Sequence, residues 1–322
     1  MPDRPRVFVT RRIPQAGLTA LAAVAEVDLW DGELPPPREV LLERVRGVDG
    51  LLSLLTDRVD AELLDAAGPG LQVVSNYAVG YDNIDVAACR ERGVAVGNTP
   101  GVLTETTADL AFALLMAVAR RLPEGYDYVR EDRWQTWGPL LLLGKDIHGA
   151  TLGLVGFGRI GREMARRAKG FGMRTLYFSR TQAPPEIEAE LDATFTPFDE
   201  LLAGSDFVSL HTALNEDTHH LIDARALARM QNGAILINTS RGGVVDQAAL
   251  ADALRSGHLF GAGLDVTDPE PMRADDPLLA LPNCLVVPHV ASASERTRDR
   301  MAAKAAANLI AGLQGEPLPD PV

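Results

Sequence analysis

The sequence predicts an α/β protein with two doubly wound parallel-sheet domains, and three observations support that prediction. Short apolar segments alternate with segments of helical spacing along both halves of the chain, which is typical of parallel sheets covered by helices. The glycine pattern GFGRIG at residues 156–161 opens the second alternating series and not the first. The length of 322 residues exceeds the roughly 250–300 residues at which a single hydrophobic core stops growing.

The first hundred residues predict one parallel sheet. Strands are predicted at 6–10, 26–30, 50–55, 71–76 and 94–97, with helices at 16–23, 37–45, 60–66 and 86–92. Each strand segment is a short apolar run, and each helix segment carries apolar residues at intervals of three or four.

The second half predicts a larger sheet. An apolar helix is predicted at 103–122, and the segment 131–149, which contains Trp134 and Trp137, is predicted to be irregular. Strands follow at 151–155, 174–178, 207–211, 234–238, 261–265 and 284–287, and the last helix is predicted at 294–313. Six strands match the size of a complete Rossmann-like dinucleotide-binding domain.

The position of the glycine motif predicts the domain order. A dinucleotide-binding domain begins with its glycine turn, yet here the turn lies in the middle of the chain. We therefore expect the nucleotide domain to be inserted into the other one. The predicted boundaries are 1–99 and 290–322 for a flavodoxin-like substrate domain, and 100–289 for the Rossmann domain.

Composition excludes several classes of protein. The formal net charge of -13 disfavours nucleic-acid binding, which needs an excess of Lys and Arg. The two cysteines, Cys89 and Cys284, have no CxxC spacing and indicate neither a disulfide framework nor a metal site. The charged N-terminus is not expected to be a secretory signal, and the most apolar helical segment, 109–119, is shorter than the about 20 residues that span a bilayer. A cytoplasmic protein without membrane contact is expected.

The glycine motif stands in the setting that nucleotide binding requires. An apolar strand segment precedes it and a helix pattern follows it. Gly156 is expected to allow the tight turn, Gly158 the approach of a pyrophosphate, and Gly161 the close packing of helix on strand. A glycine-rich turn that binds nothing is the alternative.

The segment LYFSRT at 176–181 indicates which dinucleotide is bound. NAD-binding chains offer Asp or Glu at the end of this strand to accept hydrogen bonds from the ribose hydroxyls. Here the positions carry Ser179, Arg180 and Thr181. Because Arg and hydroxyl groups bind phosphate, we expect NADP(H) to be preferred, with NAD(H) possible at lower preference. The alternative is that Arg180 lies in solvent without a ligand.

Three residues that follow apolar strands predict the chemical site: Arg241, Glu270 and His289. Reduction of a carbonyl by hydride needs a proton donor, a role that His fulfils near neutral pH. Glu270 is expected to orient the His289 ring, and Arg241 to hold a substrate carboxylate with two parallel hydrogen bonds.

Each of these three residues also has a purely structural alternative, as an ion pair, a turn or a loop hydrogen bond. Their joint placement favours the chemical interpretation. The other histidines are weaker candidates. His211 ends a strand and could line the cofactor site, whereas His148, His219, His220 and His258 are expected in turns or on helix surfaces.

The segments VGFGRIG, INTSRGGVVD, GAGLDVTDPEP and VVPHVASAS resemble those of the D-2-hydroxyacid dehydrogenase family. NYAVGYDNID and VGNTPGVLTETTADLAFALLMAVAR in the first half are also similar, so the resemblance covers nearly the whole chain. RWQTWGPL, LDVTDPEP and NLIAGLQGEPLP bring the chain closest to the glyoxylate/hydroxypyruvate reductases. The resemblance implies Arg241, Glu270 and His289 as the catalytic set.

The resemblance implies further contacts. The amides of Val79 and Gly80 would bind the substrate carboxylate, and Leu55 would line the substrate pocket. Asp265 would bind the nicotinamide amide, with Thr239 beside it. The candidate cofactor contacts are completed by Thr104, Arg159, Ile160, Ala213 and Ala291.

The resemblance also implies a homodimer formed through the nucleotide domain. Trp137 is the candidate to approach the active site of the second subunit, and packing within its own interface is the alternative. One position departs from the family pattern, in which Gly and Ser often stand two and three residues after the catalytic His. Ala291 precedes Ser292 here, and its methyl group is expected to narrow the space beside the nicotinamide.

The sequence therefore predicts an NADPH-dependent reductase of small 2-oxo acids such as glyoxylate and hydroxypyruvate. Two other classes of protein are considered. A dinucleotide-sensing binding protein of the same fold would bind NADPH without turnover, and the complete Arg–Glu–His set disfavours it. A methyltransferase would need an acidic residue at the end of the strand that follows the glycine loop, where this chain has Ser and Arg.

Overall fold

The computed structural model describes residues 4–322, which form two compact units. The first unit comprises the chain up to Leu103 and Ala293–Val322, and the second unit is Thr104–Ser292. The chain passes into the second unit after Leu103, four residues beyond the predicted boundary at 99. It returns to the first unit after Ser292, three residues beyond the predicted boundary at 289. Residues 1–3, where the predicted substrate domain starts, are outside the described residues. Insertion of one unit into the other is as the sequence predicts.

The first unit is built around a five-stranded parallel sheet with the strand order β2-β1-β3-β4-β5. Its elements are β1 (Arg6–Val9), α1 (Gln15–Val24), β2 (Glu26–Leu29), α2 (Arg38–Arg44), β3 (Gly50–Ser53), α3 (Ala61–Ala67), β4 (Val73–Asn76), α4 (Val86–Glu91) and β5 (Ala95–Gly97). The C-terminal helix, Glu295–Leu313, packs against α1 and the sheet. This is the doubly wound order in which ligands bind outside the carboxyl ends of the strands.

The second unit is built around a seven-stranded parallel sheet. Its elements in chain order are α5 (Thr104–Ala119), α6 (Leu122–Arg130), β6 (Thr151–Val155), α7 (Arg159–Gly170), β7 (Arg174–Phe178), α8 (Pro185–Leu191), β8 (Ala193–Phe195), α9 (Phe198–Gly204), β9 (Phe207–Leu210), α10 (Ala224–Arg229), β10 (Ile235–Asn238), α11 (Gln247–Arg255), β11 (Gly261–Leu264) and β12 (Cys284–Val286), and α12 is the C-terminal helix of the first unit. The strand order is β12-β11-β10-β9-β6-β7-β8. The order reverses between β6 and β9, which is where a dinucleotide binds in such sheets.

Two predictions about elements were wrong. The short strand β8, with the sequence ATF, was missed, because three residues carry too little alternation to be read as a strand. The predicted helix at 103–122 ends at Ala119, and α6 starts at Leu122. Arg121 has a left-handed φ of 52°, and Pro123 follows at the start of α6, so the helix breaks there. The segment 131–149 contains no regular element, as the sequence predicts.

Two hydrophobic clusters lie on the two sides of the larger sheet, and a third fills the first unit. Fully buried side chains include Phe8 in the first unit and Tyr177 and Phe207 in the second. The inner strands of both sheets are buried on both faces, which explains why they read as continuous apolar runs. Among residues 4–322, no helix combines the length and the apolar character that crossing a membrane requires.

Candidate functional site

The glycine motif forms a tight turn between β6 and α7. Gly156 has a φ of +98°, a conformation that residues with a Cβ rarely adopt. At Gly161 an added Cβ would lie 2.2 Å from the Gly156 carbonyl oxygen. Glycine at both positions therefore lets α7 begin directly against the end of β6.

The amino end of α7 can accept an anion. Gly158 caps the helix without a side-chain hydrogen bond, and an added Cβ there would meet no atom within 4 Å. The first turn carries no acidic residue. Arg159 is exposed and Ile160 is half-buried. Free backbone N–H groups and the helix dipole favour a phosphate at such an end.

The loop after β7 presents an arginine to solvent. Arg180 is exposed, and no hydrogen bond or ion pair of its guanidinium is found within residues 4–322. The Ser179 hydroxyl donates to the Thr181 carbonyl at 2.6 Å, so its proton serves the loop and not a ligand. In this conformation, the expected hydrogen bond from a hydroxyl to the phosphate therefore comes from Thr181 and not from Ser179.

A buried tyrosine braces the same loop. The Tyr177 hydroxyl accepts from the Ala183 N–H at 2.8 Å and donates to Glu188 Oε1 at 2.6 Å. Burial and the hydrogen bond to Glu188 raise the pKa of Tyr177 to about 12, so the hydroxyl keeps its proton. This network ties both ends of the loop to the sheet and to α8.

His289 and Glu270 are in direct contact. His289 Nδ1 lies 2.5 Å from Glu270 Oε1. His289 has a φ of 53°, and the left-handed conformation costs a residue other than glycine on the order of 1 kcal/mol. Both side chains are partly accessible, with exposed fractions of 24% and 35%. Because Nδ1 faces the carboxylate, Nε2 is the ring nitrogen left for another partner.

Asp265 holds the backbone around His289. Its side chain accepts from the N–H groups of Val290 at 2.7 Å and Ala291 at 2.9 Å, and its carbonyl accepts from the His289 N–H at 2.9 Å. Burial raises the pKa of Asp265, and these hydrogen bonds oppose that effect. The resemblance implied a contact of Asp265 with nicotinamide, and the structure adds that it fixes the loop carrying His289.

Arg241 lies in the loop after β10, which packs against the loop carrying Glu270. At Gly242 an added Cβ would lie 2.0 Å from the carbonyl of Thr267, so the two loops approach as closely as glycine permits. The Arg241 carbonyl accepts from Asn238 Nδ2 at 2.9 Å, and its guanidinium donates to the Ser240 carbonyl at 2.9 Å. Arg241 is half-buried.

The residues of the second unit fit a nicotinamide dinucleotide. The Thr239 hydroxyl is buried, and within residues 4–322 it has no hydrogen-bond partner, which is rare for a buried polar group without a ligand. Thr239 stands just past the end of β10, at the same edge of the sheet as the glycine turn. Of the other cofactor candidates, Thr104 is half-buried at the start of α5, Ala213 is exposed and Ala291 is buried.

The substrate-binding candidates of the first unit lie at the carboxyl ends of β3 and β4. Within residues 4–322, the amide N–H groups of Val79 and Gly80 have no hydrogen-bond acceptor. Leu55 is half-buried in the turn after β3. Asp57 fixes that turn, since its side chain accepts from the Leu54 N–H at 2.7 Å and from the Thr10 hydroxyl at 2.5 Å.

Two further candidates are Trp137 and His211. Trp137 is 79% exposed and lies in the irregular segment. The imidazole of His211 contacts the Ser209 hydroxyl at 2.9 Å, and burial lowers its pKa to about 3, so it stays neutral near pH 7 and cannot act there as an acid.

Sequence reasoning missed two asparagines at the Val79–Gly80 loop. Asn98 Nδ2 donates to the Val79 carbonyl at 2.7 Å, and Asn76 Nδ2 donates to the Gly80 carbonyl at 2.8 Å. Both stand at the carboxyl ends of strands, and that position was the signal that could have found them.

The comparisons with known proteins show the family of the chain. The sequence model for the D-isomer specific 2-hydroxyacid dehydrogenase, NAD binding domain, matches residues 112–291. The chain belongs to this family. The resemblance stated from the sequence is thereby confirmed, and so is the fold of two parallel-sheet α/β domains.

Relatives of this D-2-hydroxyacid dehydrogenase match nearly end to end. A glyoxylate reductase of Korarchaeum cryptofilum is 56% identical over 97% of this chain and 94% of its own length. The human glyoxylate reductase/hydroxypyruvate reductase is 46% identical over 98% and 96%. A crystal structure of an NADPH-dependent glyoxylate/hydroxypyruvate reductase from Sinorhizobium meliloti, in complex with NADP and malonate, has a TM-score of 0.88 and 34% identity, covering 99% of this chain and 97% of that one.

The glycine turn yields a first prediction. Gly161→Ala places a methyl group 2.2 Å from the Gly156 carbonyl oxygen, and overpacking of this kind costs about 1–3 kcal/mol. Because this turn is the expected site of the pyrophosphate, its displacement should raise the dissociation constant for the reduced dinucleotide about tenfold, measured by fluorescence titration. Gly170→Ala, on the same helix with no atom within 4 Å of its Cβ, is the control. Equal affinities of the two variants would contradict the assignment.

Proposed function

We propose that the chain reduces small 2-oxo acids, glyoxylate and hydroxypyruvate in particular, to 2-hydroxy acids with NADPH. The observation that supports this most is the His289–Glu270 pair, which Asp265 holds at the carboxyl edge of the dinucleotide-binding sheet. The name of the relative from Korarchaeum cryptofilum gives glyoxylate, and that of the human relative gives glyoxylate and hydroxypyruvate.

His289 is the proton donor in this proposal. The bound dinucleotide supplies a hydride to the carbonyl carbon of the substrate. Nδ1 of His289 is occupied by Glu270, so Nε2 is the nitrogen that hydrogen-bonds the substrate oxygen and delivers the proton to it. Glu270 keeps the ring oriented and places a negative charge beside the imidazolium. In the reverse direction the same nitrogen accepts the proton.

The substrate carboxylate is bound by Arg241 and by the N–H groups of Val79 and Gly80. A guanidinium and two backbone amides offer charge-assisted hydrogen bonds to the carboxylate oxygens. The net charge of -13 repels an anionic substrate at long range, so these local donors decide binding. Leu55 is the residue of the first unit proposed to contact the substrate, and Ala291 is proposed to lie beside the nicotinamide.

The preferred cofactor is NADP(H), with NAD(H) used less well. The support is the exposed Arg180 without a protein partner in the described residues, in a loop that offers no carboxylate at residues 179–181. Thr181 adds a hydroxyl donor. The relative from Sinorhizobium meliloti is described as NADPH-dependent.

The chain forms a homodimer through the segment between α5 and β6. This part of the second unit exposes large apolar side chains: Leu122 59%, Tyr126 64%, Val129 55%, Trp134 60%, Trp137 79%, Leu140 80% and Leu143 57%. Large exposed apolar surfaces commonly mark interaction sites, so this segment is the proposed interface. Trp137, the most exposed aromatic residue of this segment, is the residue proposed to reach the active site of the second subunit. A cytoplasmic location remains a prediction.

Turnover tests the proposed reaction directly. The wild-type protein is expected to oxidise NADPH when glyoxylate or hydroxypyruvate is added, followed by the loss of NADPH absorbance. His289→Ala should lower kcat about 10²–10⁴-fold, the contribution of a general acid, while NADPH still binds. His258→Ala, at a half-buried histidine that follows α11 in the same unit, should leave kcat unchanged. Tight NADPH binding without turnover of any 2-oxo acid would instead favour a dinucleotide-sensing protein.

The cofactor preference has its own test. Arg180→Ala removes a charge-assisted contact with the 2′-phosphate, and we expect KM for NADPH to rise about tenfold with little change for NADH. Arg174→Ala, at the exposed start of the same strand, is the control. Similar changes of KM for both cofactors would mean that Arg180 does not contact the phosphate.

Sedimentation equilibrium tests the dimer. The wild-type protein should have twice the chain mass of 34.5 kDa. Leu140→Asp puts a charge into the proposed interface and should give monomers at micromolar concentration. Leu34→Asp, at a leucine of the first unit with a similar exposed fraction of 77%, should remain dimeric. A monomeric wild-type protein would exclude the proposed interface.

A further inference from the structure

The N–H groups of Val79 and Gly80 are proposed to bind the substrate carboxylate. In each of their two peptide planes, the carbonyl on the opposite side accepts a hydrogen bond from the protein. A peptide unit is planar and trans, so its N–H and C=O point in opposite directions. The N–H of Val79 therefore shares a plane with the Ala78 carbonyl, and the N–H of Gly80 shares one with the Val79 carbonyl. Fixing these two carbonyls fixes the directions of the two donors.

Both carbonyls accept hydrogen bonds from consecutive residues. The Thr99 N–H donates to the Ala78 carbonyl at 2.9 Å, and Asn98 Nδ2 donates to the Val79 carbonyl at 2.7 Å. Only the second of these bonds comes from a side chain. The direction of the Gly80 N–H therefore depends on the identity of residue 98, whereas that of the Val79 N–H depends on backbone.

Asn98 is itself held in place by hydrogen bonds of its backbone N–H and carbonyl. Its N–H donates to the Asp320 carbonyl at 3.2 Å, and its carbonyl accepts from Asn308 Nδ2 at 2.8 Å. Asn308 Oδ1 accepts from the Asp320 N–H at 2.9 Å. Asn98 and Asn308 are 8% and 0% exposed. The Asn308 amide is bonded through both its nitrogen and its oxygen, which fixes its orientation, and it thereby holds the backbone of Asn98.

The C-terminal tail closes this network. Pro321 pairs with Gly97 as an antiparallel bridge, and the Val322 N–H donates to the Val96 carbonyl at 2.9 Å. The Asp320 carboxylate pairs with Lys304 on α12 at 2.7 Å. The tail thus lies along the edge strand β5 and keeps Asn98, the residue that follows β5, in place.

We infer that Asn98 is a positioning residue for substrate binding, which aims the Gly80 N–H at the substrate carboxylate by holding the Val79 carbonyl. The inference rests on the proposed function of the Val79–Gly80 loop. Asn98 acts through Gly80 and touches no reacting atom. Its loss weakens the binding of the carboxylate and leaves the dinucleotide site of the other unit as it is.

The test compares Asn98→Ala and Asn98→Leu with the wild-type protein. The leucine variant keeps most of the side-chain volume and lacks the donor, so it separates the hydrogen bond from packing. Both variants should raise KM for glyoxylate and the inhibition constant of oxalate, a dicarboxylate without a reducible carbonyl, by about tenfold each. The value of kcat should fall by less than KM rises, and the dissociation constant for NADPH should not change.

Asn283→Ala is the matched control. Asn283 Nδ2 also donates to two backbone carbonyls, those of Leu254 and Phe260, at 3.4 and 3.3 Å in the second unit. This variant should keep the wild-type KM and inhibition constant.

Three results would overturn the inference. The first is a folded Asn98→Leu protein whose KM for glyoxylate and inhibition constant of oxalate equal those of the wild type. The second is a rise of the NADPH dissociation constant in the Asn98 variants as large as the rise of KM. The third is a rise of KM and of the inhibition constant in Asn283→Ala as large as in the Asn98 variants. Failure of the proposed function looks different, because the wild-type protein then shows no turnover of glyoxylate at all.

Discussion

The hydrogen bonds between Asp265 and the chain at 289–291 are the interaction on which the candidate site depends. His289 has a left-handed backbone conformation, which a residue other than glycine adopts only when its surroundings impose it. The two side-chain and one backbone hydrogen bonds of Asp265 supply that constraint. They also turn the His289 side chain so that Nδ1 meets Glu270 and Nε2 stays available.

The parallel sheet explains why these groups meet. Asp265 follows β11, His289 follows β12, and Thr239 follows β10, so all three stand at the same edge as the glycine turn after β6. Close packing at Gly242 then brings the Arg241 loop onto the loop of Glu270. Residues that are far apart in sequence therefore lie close together at one edge of the sheet.

Much of this could be predicted from the sequence, because alternation of apolar segments identifies buried parallel strands. Glycine spacing predicted the tight turn between β6 and α7, and polar residues after strands predicted that Glu270 and His289 meet. What the sequence could not give depends on three-dimensional contacts. Periodicity did not reveal β8, and composition did not reveal that the Ser179 hydroxyl bonds its own loop.

The role of Asn98 shows the same limit. Its partner Asn308 is more than two hundred residues away in sequence, so nothing in the local segment indicates that the C-terminal tail holds it. The three carbonyls of residues 78–80 are all occupied, and only coordinates show that the adjacent N–H groups must then point the other way.

A crystal structure with NADPH and oxalate bound is the sharpest test of the proposed substrate site. One oxalate carboxylate is expected on the N–H groups of Val79 and Gly80 and on Arg241. His289 Nε2 should then lie within hydrogen-bond reach, about 2.6–3.2 Å, of an oxygen of the other carboxylate. Oxalate bound without contact to either His289 or the Gly80 amide would contradict it.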